Sequence, residues 1–99
     1  MRFMIYTTDK EGAVDIRIAY RAAHLDHLSE NKKVKVLTAG PWLDDDNETM
    51  KGSLIIVEAN CVNCVTKWIG RDPYVVAGLT GSAKIHPFNW AIGAPSSFT

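Results

Sequence analysis

Phe3, Met4, Ile5 and Tyr6 follow one another without a polar interruption. Such a run predicts a strand over residues 2–8 that is covered on both faces, since a strand with one wet face alternates. Beyond the polar Asp9-Lys10-Glu11-Gly12 the spacing changes. Val14, Ile18, Ala22 and Leu25 recur at intervals of four, four and three, which predicts an amphipathic helix over residues 14–30 with these four as its buried stripe. Residues 34–39 read as a second strand, stopped by Gly40-Pro41, where proline lacks a donor. A polar loop over residues 42–52 holds Asp44-Asp45-Asp46-Asn47-Glu48. This acidic run is expected to be a solvated hairpin tip, because it lacks the sixth-position glycine and the closing glutamate of a calcium loop. Residues 53–59, centred on Leu54-Ile55-Ile56-Val57, predict a third strand that is again apolar on both sides. Asn60 is the expected N-cap of a second helix reaching Trp68 or Ile69, with Val62, Val65 and Ile69 on one face and Gly70 at its end. Asp72-Pro73-Tyr74 opens an irregular connection to Gly78, and residues 80–88 form a fourth strand in which Ala83 and Ile85 alternate with polar neighbours.

The order βαββαβ predicts an α+β, ferredoxin-like fold: a four-stranded antiparallel sheet with two helices on one face. The other face then needs a cover. Because the first and third strands are apolar on both sides, the expected cover is the same face of a second copy, giving a homodimer. The chain has 99 residues, enough for one domain, with 11 basic and 11 acidic side chains. A net charge of zero gives no electrostatic footprint for nucleic acid. No run approaches the roughly 20 apolar residues of a membrane span, so no membrane partner is expected. The first residues lack signal-peptide character, and two cysteines suit a reducing compartment, so the expected location is cytoplasmic.

Chemistry is concentrated in two places. Arg17, Arg21, His24 and Leu28 follow one another along one flank of the first helix, which puts His24 at the edge of the core. Asp26 lies roughly 160° around the helix from His24 and cannot pair with it. His27, nearly opposite the apolar stripe, is expected to be exposed. Asp72 is the candidate partner, since Pro73 restricts its backbone and can hold its side chain in one direction. A carboxylate on one imidazole nitrogen fixes the tautomer and leaves the other nitrogen to exchange protons with a ligand. Arg21, one turn before His24, can bind an anionic group, and the Tyr74 hydroxyl is available to a pocket. Each residue also has a plainer reading: His24 as a structural histidine, Asp72 as a turn residue, Tyr74 as packing. Cys61-Val62-Asn63-Cys64 has the spacing of redox motifs at a helix start, but without a thioredoxin-type topology it reads as incidental thiols. No metal site is expected, because zinc would need two further ligands. No phosphate loop or nucleophile elbow is present, and no cofactor is expected.

The set Arg21-x-x-His24-Leu25-x-x-Leu28, Leu37-Thr38-Ala39-Gly40-Pro41, Gly52-Ser53, Asp72-Pro73-Tyr74, Gly78-Leu79 and Pro87-Phe88 resembles the YciI-like (YCII-related) family in content and order. The likeness covers residues 1–90 as one domain and leaves 91–99 as a tail. It implies a dimeric α+β barrel with a pocket in each subunit, whose histidine and aspartate map onto His24 and Asp72. One departure is local: Ala22 stands where many relatives carry proline, and a helix tolerates alanine at least as well. The leading expectation is a small-molecule enzyme, isomerase or lyase-like, with His24 as general acid/base, Asp72 as its orienting carboxylate, and Arg21 and Tyr74 contacting the ligand. The alternative is a non-catalytic ligand-binding or interaction module.

Overall fold

A computed structural model describes residues 1–30 and 33–95. The elements are β1 (Arg2–Asp9), α1 (Val14–Ser29), β2 (Lys35–Leu43), β3 (Met50–Glu58), α2 (Val62–Gly70), α3 (Pro73–Val76) and β4 (Thr80–Pro87). The four strands form one antiparallel sheet in the order β2-β3-β1-β4, the ferredoxin-like arrangement, with the helices packed on one face. The expected tail falls partly in the described residues, and 96–99 lie outside them.

Pairing of β1 with β3 sets Phe3 against Val57, Ile5 against Ile55 and Thr7 against Ser53. These are the inward positions, and all six are buried. Since side chains alternate across a strand, Met4, Tyr6, Leu54 and Ile56 point to the opposite face. There Tyr6 and Leu54 remain 36% and 37% exposed. The two-sided apolar character read in the sequence therefore corresponds to one helix-covered face and one face that the chain leaves open.

Beneath the helices the interior divides in two. Under α2 lies an apolar half, with Phe3, Ile5, Val34, Ile55, Val57, Ala59, Val65, Trp68 and Ile69 in one cluster. Under α1 the interior is polar. The expected stripe of α1 is not its buried face: Val14, Ile18, Ala22 and Leu25 are exposed, Ile18 by 64%, and the buried residues are Arg17 and His24. On a helical wheel the observed buried direction is turned about 90° from the expected one. Its cause is the sheet below, where Thr7 and Ser53 put hydroxyls at inward positions that an apolar stripe would leave unmatched.

Three local differences have equally simple causes. β2 continues through Gly40-Pro41 to Leu43, because it is an edge strand and Pro41 can turn its donor-less nitrogen away from β3. Cys61, not Asn60, caps α2, its sulfur accepting the Cys64 N–H at 3.2 Å. His27 is half-buried, its Nε2 donating to the Trp68 carbonyl at 2.9 Å and its ring stacked on that indole. The acidic run forms the β2–β3 turn. Asn47 adopts φ 63° there, and Asp46 accepts the backbone N–H groups of Glu48 and Thr49. The Thr49 hydroxyl and these amides pull the Asp46 carboxyl down to about 2.

Gly52 marks a close approach between strands. The Trp42 indole N–H crosses over it to the Thr7 carbonyl at 2.7 Å, and a Cβ at position 52 would collide with both groups. Trp42 is thereby laid flat on Tyr6, with ring centroids 5.4 Å apart.

Candidate functional site

Asp72 is the N-cap of α3, and Pro73 occupies the first helical turn, where its missing N–H costs nothing. Proline also holds the preceding residue extended, and Asp72 has φ −60° and ψ 130°. In that conformation Oδ1 accepts the Tyr74 N–H at 2.9 Å. The same carboxylate reaches α1, where His24 Nδ1 lies 2.8 Å from both Oδ1 and Oδ2. His24 is 7% exposed and Asp72 2%. An ionised carboxylate can only accept, so Nδ1 carries the hydrogen and Nε2 of the neutral ring offers its lone pair. Nε2 has no hydrogen-bond partner among the described residues.

Tyr74 is held by the same short helix and lies flat on the imidazole, with centroids 3.9 Å apart and planes 12° from parallel. Its hydroxyl donates to the Arg17 carbonyl at 3.2 Å. Burial pushes the phenol up, which keeps it protonated as that bond requires. The other face of the Tyr74 ring meets the Arg17 guanidinium, whose central carbon lies 4.7 Å from the ring centroid. Arg17 in turn forks onto Asp9, Nε to Oδ2 at 2.7 Å and Nη2 to Oδ1 at 3.0 Å, and Nη2 also donates to Ser53 Oγ at 3.1 Å. The Ser53 N–H donates to Thr7 Oγ1. A continuous polar chain thus runs from Asp9 through Arg17, Tyr74 and His24 to Asp72. A cavity of about 10 Å³ lies beside it, lined by Thr7, His24, Ser53, Asp72, Tyr74 and Thr80 among others.

Of the four residues singled out in the sequence, the structure brings His24, Asp72 and Tyr74 together. Arg21 does not join them: it is exposed, one turn before His24, and reaches the cluster only through its charge, which acts on the Tyr74 phenol. Sequence reasoning missed Arg17, Asp9 and Ser53 as members. A signal existed, because Arg17 and His24 share one helix flank and Thr7 and Ser53 interrupt otherwise apolar strands.

Known proteins with this sequence pattern span nearly the whole chain. Protein YciI of Escherichia coli O6:H1 is 33% identical over 94 residues, covering 89% of this chain and 96% of that protein. An uncharacterised protein of Haemophilus influenzae is 31% identical over 94 residues, with the same coverage. Among solved structures, the 5-chloro-2-hydroxyhydroquinone dehydrochlorinase TftG of Burkholderia phenoliruptrix AC1100, in complex with 2,5-dihydroxybenzoquinone, aligns with a TM-score of 0.79 at 33% identity. That alignment covers 90% of this chain and 94% of the other. The YCII-related domain matches residues 1–89, which contain every residue of the polar chain, and this protein belongs to the YCII-related family.

Proposed function

We propose that this protein is a small-molecule enzyme in which His24 exchanges a proton with the bound ligand through Nε2 and Asp72 orients the imidazole. The observation that carries the reading is the doubly held Nδ1 of a buried histidine whose second nitrogen has no partner among the described residues. That is the arrangement a general base needs, with tautomer and direction fixed before the ligand arrives. The ligand class is a small hydroxylated ring, by analogy with the dehydrochlorinase at 33% identity. Loss of HCl from such a ring is a lyase-type elimination through the keto tautomer, in which one hydroxyl hydrogen moves to the chlorine-bearing carbon. Nε2 takes the proton of a second hydroxyl, whose O–H electrons become the new C=O as the ring double bond shifts and chloride leaves with the C–Cl pair. The imidazolium beside Asp72 then returns the proton to water. Arg21, exposed one turn before His24, supplies positive charge for an anionic oxygen of the ligand. Tyr74 holds the plane of the imidazole through its stacked ring, both faces and the hydroxyl of the phenol being engaged within the protein.

The alternative is a non-catalytic binding module, and under either reading the cavity of about 10 Å³ beside the histidine must widen to admit a ring. A space of that size holds about one water molecule, so a ring can enter only if α1 or α3 yields. The two readings separate in one experiment. Titration with 2,5-dihydroxybenzoquinone, followed by the NMR signals of the His24 imidazole, is expected to shift His24. His24→Gln is expected to lower turnover of 5-chloro-2-hydroxyhydroquinone at least ~10²-fold with binding retained. Binding without turnover in the unaltered protein transfers the assignment to a binding module. An unmoved His24 signal overturns both.

We further infer that the open sheet face is closed by a second copy. Met4, Tyr6, Leu54 and Ile56 lie on it side by side, with Trp42 stacked on Tyr6. Sedimentation at micromolar concentration is expected to give a dimer, and Leu54→Lys a monomer, because a lysine at the centre of a sheet-to-sheet contact leaves a buried unpaired charge. A folded monomer of the unaltered chain overturns the inference.

A further inference from the structure

Beyond the polar chain, at the C-terminal end of α1, a cavity of about 550 Å³ opens between that end and α2. Glu30, Lys33, Cys61, Cys64, Lys67 and Arg71 line it. Its wall is fixed by the His27–Trp68 hydrogen bond, and both thiols are free and half-buried. The cap bond holds Cys61 Sγ 3.2 Å from the backbone nitrogen of Cys64, which keeps the two thiols neighbours at the first turn of α2. Three cations against one carboxylate make the cavity positive.

We propose that this cavity is a second, dithiol site, in which Cys61 and Cys64 exchange with the disulfide of a small anionic thiol peptide. The Cys61 thiolate attacks one sulfur of the ligand disulfide, a new S–S bond forms, the ligand S–S bond breaks, and one ligand thiolate leaves. Cys64 then loses its proton to water, and its thiolate attacks Cys61 Sγ, displacing the second ligand thiolate. The two protein thiols become one disulfide, and their two electrons reduce the ligand disulfide to two thiols; excess ligand thiol reverses the sequence.

The order of attack follows from the helix start. The Cys64 thiol and backbone N–H, donating to Cys61, pull the Cys61 thiol below its usual value, with a smaller contribution from Lys67. The same bond to Cys61, together with desolvation, pushes the Cys64 thiol up. Cys61 is therefore the first nucleophile and Cys64 the resolving thiol. Lys33, Lys67 and Arg71 match carboxylates on the ligand, and Glu30 matches an amino group.

The test uses the reduced full chain with oxidised glutathione as the anionic probe and cystamine as the cationic one, followed by mass spectrometry. Oxidised glutathione is expected to convert the protein to a species two hydrogens lighter. Cys64→Ser is expected to trap one glutathione on Cys61, while Cys61→Ser, which keeps a good helix cap, reacts at least roughly 10-fold more slowly. At low salt oxidised glutathione should outpace cystamine by about 10-fold, with the gap closing near 1 M salt and narrowing in Lys67→Glu. First attack by Cys64, equal rates for the two probes, or failure to form the internal disulfide each overturns the proposal. The Cys61→Ser/Cys64→Ser double variant should keep the response of His24 to its own ligand, so failure at one site is distinguishable from failure at the other.

Discussion

Asp72→Ala is expected to lose about 3–5 kcal/mol of folding stability, read as a lowered urea midpoint at unchanged slope. The carboxylate satisfies two donors that have no alternative: the Tyr74 N–H at the start of α3 and His24 Nδ1. With Asp72 only 2% exposed, the donors it leaves behind are out of reach of bulk solvent. Loss of the N-cap adds to the effect, because α3 is a single turn of four residues and has little stability of its own. A domain of this size is held by roughly 5–15 kcal/mol, so the variant sits near the edge of folding. Asp72→Asn keeps an acceptor for Tyr74 and is expected to lose only about 1–2 kcal/mol. A loss below about 1 kcal/mol in Asp72→Ala would show that the His24–Asp72 contact contributes nothing to the fold.

Arg17→Met is expected to be as severe, about 3–5 kcal/mol, for a different reason. It strands the Asp9 carboxylate, whose side chain is 9% exposed, and leaves Ser53 Oγ and the Tyr74 ring without the guanidinium between them. Most of that loss belongs to the abandoned charge. The double variant Asp9→Asn/Arg17→Met should therefore be more stable than the sum of its single changes implies, by about 2 kcal/mol or more. Chemical denaturation of all four members of the cycle measures this. Strict additivity would mean that the pair is solvated well enough not to act as a unit.

The reach of the sequence can be judged from particular residues. The strand order and the two-sided character of β1 and β3 were legible, because four consecutive apolar residues between polar turns suit little besides a strand with apolar side chains on both faces. The approach of Asp72 to α1 was legible through Pro73, a residue that restricts its neighbour whatever surrounds it. The rotation of α1 was not. Pattern reading assigns the apolar side of a helix to the interior, which holds only when the surface beneath is apolar. Thr7 and Ser53 make it polar here, and their effect on α1 acts through pairing partners distant in the chain. Arg17 was hidden for the same reason, since an arginine is placed at the surface unless a buried carboxylate such as Asp9 is known to await it. His27 was misplaced with the helix as a whole: the same turn that buries His24 carries His27 onto Trp68.

Apolar contacts tolerate small displacements, because any nearby methyl group serves almost as well as the original. The face by which α1 sits on the sheet has little of that tolerance. Sliding the helix by one residue turns it by about 100°, and the Arg17–Asp9 fork, the Arg17–Ser53 bond, the Tyr74–Arg17 bond and the His24–Asp72 bond are then lost together. The helix behaves as a key with one seated position rather than as a piston with many. Any displacement of α1 from the sheet therefore has to release that key as a unit.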